Sequence, residues 1–341
     1  MRRFLLPENY FELSRRDRNE LLQVAADQLN RPVEALEKDL WVVETLRLMF
    51  ESSFGPELTF KGGTSLSKGY KVIERFSEDI DITVDIRRIL PVPTGQSEYP
   101  PNPSQARKWK DRIRKKKLPE FIVYEILPVL ATGLPGDVKL SHVGAEVFVD
   151  YSKTLPSRPI TPDYIKPIVR IEPGGFSTGE PNHHAEIRCD LEGADVGSMI
   201  ELPKAQVRIM NIERTFWEKA TLIHVACVKE RKSWEGYTRH WYDLVQIYES
   251  KHGAQCVSNQ EAARSVVEFK SWFYREKLVD YTDAVIGKIR IVPTGETLRA
   301  MRSDYEGMHR MFEREPYPFE TLIHKCRELE HMLNETTKGW K

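Results

Sequence analysis

Two aspartates one residue apart, Asp79 and Asp81, shortly follow a glycine pair, Gly62 and Gly63, in the stretch FKGGTSLSKGYKVIERFSEDIDITVD, residues 60 to 85. DIDITVD alternates Asp with Ile, Thr or Val and reads as a strand. Residues i and i+2 of a strand project from one face, so Asp79 and Asp81 present two carboxylates side by side while Ile80 and Ile82 enter a core. Such carboxylates repel unless a cation lies between them, and a hard divalent ion, Mg2+ or Mn2+, is the natural occupant in phosphoryl or nucleotidyl transfer. The glycine pair supplies the complementary half. Without side chains there, backbone N–H groups can approach a phosphate, and a helix starting near Thr64 or Ser65 adds the positive end of its dipole. Ser77 either caps the strand or touches phosphate, and Lys61 either binds phosphate or is solvated. Each half alone also has an ordinary reading, an acidic solvent face or a plain turn.

The elements that must position these residues follow from periodicity. Apolar residues recur at three- and four-residue steps from Phe11 to about Phe54, broken at Pro32, and predict a pair of helices. ELTFKG is β-prone, and after it come the Gly-Gly turn, a short helix and the DIDITVD strand. Residues 91 to 104 hold five prolines and predict a loop. QARKWKDRIRKKKL follows, with eight basic residues in the eleven positions from Arg107 to Lys117. That run is either a solvated helix face or a surface for RNA phosphates or an acidic partner. Short β-prone runs between about 138 and 210 (AEVFVDY, PIVRIEP, AEIRCDL, AQVRIM) predict a sheet, and helical patterns return from Ile212, ending in a helix from roughly Phe319 to Leu333.

The 341 residues, 40% hydrophobic, suffice for a substantial core, and 51 basic residues balance 51 acidic ones, so any polyanion site must be local. Cys189, Cys227, Cys256 and Cys326 lie at least 29 residues apart, which argues against a zinc knuckle or disulfide framework and suits a reducing cytoplasm. No segment approaches the roughly 18 apolar residues of a membrane span.

Gly62-Gly63-Thr64-Ser65, an interval ending in Arg75, and Ser77-x-Asp79-x-Asp81 resemble the GGT…RxSxDxD signature of AbiEii/AbiGii-type toxin nucleotidyltransferases. These belong to the polymerase beta-like superfamily and act in type IV toxin–antitoxin systems. The family's helical lysine and later aspartate are matched by Lys219 in TFWEKATLIH and Asp243 in RHWYDL. The resemblance covers residues 60 to 85 and 213 to 245, while 86 to 165 match nothing nameable. It implies an α/β (α+β) fold: a nucleotidyltransferase core with a mixed sheet in residues 1–211, with N-terminal helices and an insertion near 86–137, and a helical domain at 212–341 that completes the site. It further implies an NTP substrate, phosphate binding by residues 62 to 65, Arg75 and Ser77, metal on Asp79 and Asp81, an RNA acceptor such as a tRNA 3′ end, and a cognate antitoxin.

On a helix Lys219 falls with Phe216, Ala220, Ile223 and Cys227, so its ammonium leaves from the apolar side, either to grip a triphosphate or to snorkel. Asp243 either pairs with Arg239 at i,i+4 or stands beside the active site. For a third carboxylate, Glu172 is preferred over Asp150, since alternation places Ile168, Arg170 and Glu172 on one side. Three rivals compete: a haloacid dehalogenase-like phosphatase with Asp79 as nucleophile, a P-loop, whose Gly-Lys-Ser/Thr ending is missing, and a non-catalytic binding protein on the same fold. His183-His184 reads as a loop pair rather than a metal site, because adjacent strand residues point apart.

Overall fold

The computed structural model describes residues 9–77, 79–91, 97–152, 165–229, 233–312 and 314–340. Helix α1 (Arg15–Leu29) starts where the Ser14 side chain accepts from the Asp17 N–H and stops at Asn30, whose φ of 50° turns the chain out of the helix. Helix α2 (Val33–Phe50) is buried along most of its length, including Leu40, Trp41, Val43 and Leu46. Its burial takes in charged residues as well, Glu37, Lys38, Asp39 and Glu44, and α2 lies against the central sheet, chiefly β7.

Seven strands form that sheet: β1 (Leu58–Lys61), β2 (Ile80–Val84), β3 (Lys139–Val143), β4 (Glu146–Asp150), β5 (Ile168–Gly174), β6 (Asn182–Arg188) and β7 (Lys204–Met210). Their spatial order is β3-β4-β5-β2-β1-β7-β6. β2 runs parallel to β5 and β1 parallel to β7, while the remaining neighbours are antiparallel, so the sheet is mixed, as expected. The central strands β1 and β2 bury Leu58, Phe60, Ile80, Ile82 and Val84.

Helix α3 (Pro103–Arg112), capped by Asn102, carries the first half of the basic run and continues through looser turns at Ile113–Lys117 and beyond to Gly133. Its Trp109 and Ile113 join the core of the sheet. The C-terminal half supplies α4 (Ile212–Val228), α5 (Arg239–Glu249), α6 (Gln260–Phe273), α7 (Gly295–Gly307) and α8 (Phe319–Lys338). These helices enclose a second apolar cluster that takes in Leu66 and Ile73 from the glycine-turn segment, whereas Phe269 and Phe273 of α6 pack into the sheet's core.

Some expectations change. PNHHAE is part of strand β6, not a loop, and His183 Nδ1 lies 2.8 Å from Asn211 Oδ1. Strand β3 and helix α7 have no counterpart in the sequence reading, and the last helix reaches Lys338. The proline-rich loop is cut short at Pro103, which begins α3, and its residues 92–96 lie outside the described residues.

A buried ion network ties the glycine-turn segment to α2. Lys68 Nζ lies 2.6 Å from both Asp39 and Asp190, and Arg31 also binds Asp190. Burial pushes the Asp39 carboxyl up despite Lys68, whereas Lys68 and Arg31 outweigh burial at Asp190 and hold it down. Removing Lys68 leaves Arg31 on Asp190 but strands the buried Asp39 carboxylate without a cation. Lys68→Met is therefore expected to cost about 3 kcal/mol in urea unfolding, and wild-type stability in that variant would contradict the role given to Lys68.

Candidate active site

The site forms where β1 ends and β2 begins. Lys61 is opposite Asp81 across the antiparallel pair, and Asp81 is level with Glu172 across the parallel pair with β5. Residues level across a sheet project from the same face, so these three side chains are neighbours. Asp79 stands just before β2, two residues from Asp81, while Ile80 and Ile82 point into the core. On β5, alternation buries Val169 and Ile171 and leaves Ile168, Arg170 and Glu172 half-buried on the other side.

Between the strands the chain turns through Gly62, whose φ is +78° and where a Cβ would stand 1.9 Å from Asp81 Oδ2. Only glycine permits that approach. A Cβ at Gly63 would lie 2.6 Å from Ser77 Oγ and 2.7 Å from Arg75 Nη2. The turn opens into a short helix, but neither Thr64 nor Ser65 caps it; Lys61 occupies the cap position without a side-chain hydrogen bond. The Thr64 hydroxyl instead bonds the Asp79 carbonyl oxygen at 2.5 Å and Ser77 Oγ at 3.1 Å, and Ser65 Oγ donates to the Gly62 carbonyl at 2.8 Å. These hydroxyls fix the turn against the segment that carries Asp79.

The C-terminal helices reach the site through one carboxylate. Asp243 of α5, fully buried, accepts two parallel hydrogen bonds from Arg75, each 2.7 Å, and a third of 2.8 Å from Lys219 Nζ of α4. Burial alone would raise its pKa, but Arg75 and Lys219 hold it well below the usual aspartate range. Asp243 thus bonds residues far away in sequence, in place of a local i,i+4 pair with Arg239. Lys219 is buried on the apolar side of α4, as its spacing requires.

Burial pushes Asp81 up, Lys61 pulls it back and Asp79 pushes it up again. Glu172 is raised by burial and by Asp81. Ionised together, these carboxylates carry charge that the neighbouring cations do not cancel. Asp79 has its own countercharge: Arg170 donates from Nε and Nη2 to its two oxygens at 3.0 and 2.5 Å and also lies 3.0 Å from Glu172. Arg170 was not anticipated. Its signal was present, since it precedes Glu172 by two residues on the same strand face. The half-buried imidazole of His240, flanked by Lys219 and Arg239 and pushed well below the usual histidine range by desolvation, was missed as well. Asp150 ends β4, level with Lys139 of β3 and Ile168 of β5 and two strands away from β2.

Among the described residues no three His, Cys, Asp or Glu side chains gather as a ready-made metal cage. Magnesium is usually held by one or two carboxylates together with substrate phosphates, and the all-oxygen donors Asp79 and Asp81 fit that use. The phosphatase alternative fits poorly, because among the described residues 71–77 ahead of Asp79 the backbone makes only an isolated bridge, from Arg75 to Phe312.

A glycine turn, a carboxylate pair at the start of β2 and a buried lysine from the following helical region thus come together at one end of the mixed sheet. The chain belongs to the AbiEii nucleotidyl transferase toxin family of type IV toxin–antitoxin systems, whose family model matches residues 47–325. No curated protein matches it. Among solved structures it aligns with MenT4, a nucleotidyltransferase toxin from Mycobacterium tuberculosis H37Rv, at 15% identity and a TM-score of 0.48, over 95% of this chain and 90% of that one.

Asp243→Asn leaves Arg75 and Lys219 buried without their anion, so a loss of about 3–5 kcal/mol is expected in urea unfolding at neutral pH. A carboxyl held low in the folded state stabilises it above the ordinary aspartate pKa of about 4, and that contribution disappears as pH falls through the folded value. The gap between wild type and variant therefore narrows in acid. Equal stabilities at pH 7 would overturn the assignment.

Proposed function

We propose that this toxin moves a nucleoside monophosphate from a nucleoside triphosphate to RNA, with a tRNA 3′ end as the acceptor that the family reading favours, and that a cognate antitoxin restrains it. The observation that carries the reading is a convergence: Gly62 closes against Asp81, while Arg75, 168 positions away in sequence from Asp243, meets that aspartate together with Lys219. A packing role alone gives no reason for a lysine from a second helical unit to be buried beside paired carboxylates.

Each group has a defined task. Gly62 and Gly63 leave the turn open for phosphate oxygens, and Ser77, Thr64 and Ser65 keep its backbone in place. Asp79 and Asp81, aided by Glu172, would hold divalent magnesium or manganese, which when bound neutralises phosphate charge and activates the attacking hydroxyl. Arg170, which holds Asp79 through both carboxylate oxygens, is the countercharge that a bound cation would replace. Lys219, oriented by Asp243, faces the triphosphate and stabilises charge gathering on the departing pyrophosphate. Lys61 balances Asp81 from the other side. Among the described residues no helix is long and apolar enough to cross a membrane, in keeping with substrates met in solution.

The test combines transfer with stability. Incubation with each α-labelled triphosphate, magnesium and total RNA should label RNA, and Asp81→Asn should abolish the labelling. Because ionised Asp81 is disfavoured in the folded protein, its contribution turns against stability above the usual aspartate range, and the same variant should raise the melting midpoint by about 1–3 °C at pH 7. Retained transfer, or a lowered midpoint, would contradict the role given to Asp81.

A further inference from the structure

The basic run did not enter the catalytic centre, yet it is connected to it. Lys110 of α3 donates to the Phe273 carbonyl oxygen at 2.7 Å and stands 5.4 Å from the centroid of the Tyr274 ring. On the same ring lies Lys270, 4.8 Å from the centroid. Tyr274 is 40% exposed and is flanked by Phe176, which stacks on Phe273 at 5.6 Å just beyond the end of β5. Lys61, the residue opposite Asp81, is within electrostatic reach of Tyr274, as is Arg114. A chain of cations therefore runs from the catalytic carboxylates, past an exposed aromatic face, to α3.

There it opens into a groove of about 960 Å³ between α3 and the segment after α6, lined by Arg107, Lys110, Trp272, Arg275 and Lys277. Acids near it are already engaged: Glu276 with Lys229 at 2.6 Å, Asp111 with Lys115 at 3.2 Å, and Asp280 with the backbone and hydroxyl of Thr282. Among the described residues, Arg107, Arg275, Lys277 and Lys270 make no ion pair, while Lys61 is left to Asp81. Unpaired cations alternating with aromatic rings are how single-stranded nucleic acid is held without sequence readout: cations track the phosphates and rings stack the bases.

We propose that this groove is the entry track for the acceptor, a single-stranded RNA end whose phosphates follow Arg107, Arg275 and Lys277 and whose bases stack on Tyr274 before the 3′ hydroxyl reaches Asp81. The inference rests on the RNA-acceptor reading for its direction toward the site. The groove itself can be tested without a triphosphate.

The experiment titrates fluorescein-labelled single-stranded RNA of about ten nucleotides into wild type, Tyr274→Ala, Tyr274→Phe and the triple variant Arg107→Gln/Arg275→Gln/Lys277→Gln across a salt series. All four positions are exposed, and circular dichroism checks the fold. The triple variant should bind at least tenfold more weakly at low salt, with a log–log salt slope shallower by about 2, at roughly 0.7 per lost phosphate contact on a single strand. Tyr274→Ala should lose about tenfold and Tyr274→Phe little, as expected for stacking. In transfer assays the KM for RNA should rise while that for the triphosphate holds. Unchanged RNA affinity in the triple variant overturns the proposal. So does a groove that poly-glutamate occupies as well as RNA does, with no effect of Tyr274→Ala, because that marks a surface for an acidic protein. If groove-dependent binding is found but wild type labels no RNA with any triphosphate, the groove stands and the transferase reading fails.

Discussion

The buried carboxylate of Asp243 is the constraint on which the rest of the molecule depends. An ionised aspartate taken out of water costs several kcal/mol unless it is fully paired, and its only partners among the described residues come from two different places, Arg75 of the core segment and Lys219 of α4. Satisfying that charge therefore forces the C-terminal helices to close over the glycine turn. Closure brings Leu66 and Ile73 into the second apolar cluster. Stability and site assembly are in this way one event.

The central sheet meets a second constraint, how to crowd negative charge on one face. β2 sits between β1 and β5, so Asp81 has Lys61 on one side and Glu172 on the other. Gly62 lets the backbone press against Asp81, and Arg170 takes up Asp79. The unmet charge is confined to one face of the sheet, around Asp79, Asp81 and Glu172. Such local conflict between folding and charge is common where a protein binds or reacts, and here it falls on the residues whose spacing first suggested chemistry.

How much of this was legible depended on the range of the interaction. Asp79 and Asp81 with Ile80 and Ile82, and the apolar-side Lys219, were readable because two- and four-residue periodicities are local. Glu172 was within reach because alternation placed it on the site's side of its strand. Arg170 was overlooked although it shares that face, since nothing in sequence says that it crosses to Asp79. Asp243 allowed a local partner, Arg239, and only the fold chose Arg75. The link between Lys110 and Tyr274 was likewise invisible: those residues are remote in sequence and meet through the packing of Trp109 and Phe273 into one core. Strand β3, mostly exposed and polar, lacks the apolar alternation by which strands are recognised.

The clamp implies a division of labour between its two cations. Arg75, bonded through both nitrogens to Asp243, meets most of its charge, while Lys219 contributes a single bond and faces the carboxylate site. The most direct measurement is to determine, for Lys219→Met, both the unfolding free energy and the single-turnover rate of nucleotide transfer to RNA. Stability is expected to fall by no more than about 1–2 kcal/mol, the worth of one hydrogen bond to a charged group, while transfer drops by about a hundredfold or more, as for loss of one preorganised electrostatic donor. A variant that unfolds as readily as Asp243→Asn, yet transfers nucleotide at the wild-type rate once folded, would make Lys219 a structural partner only and contradict the assignment.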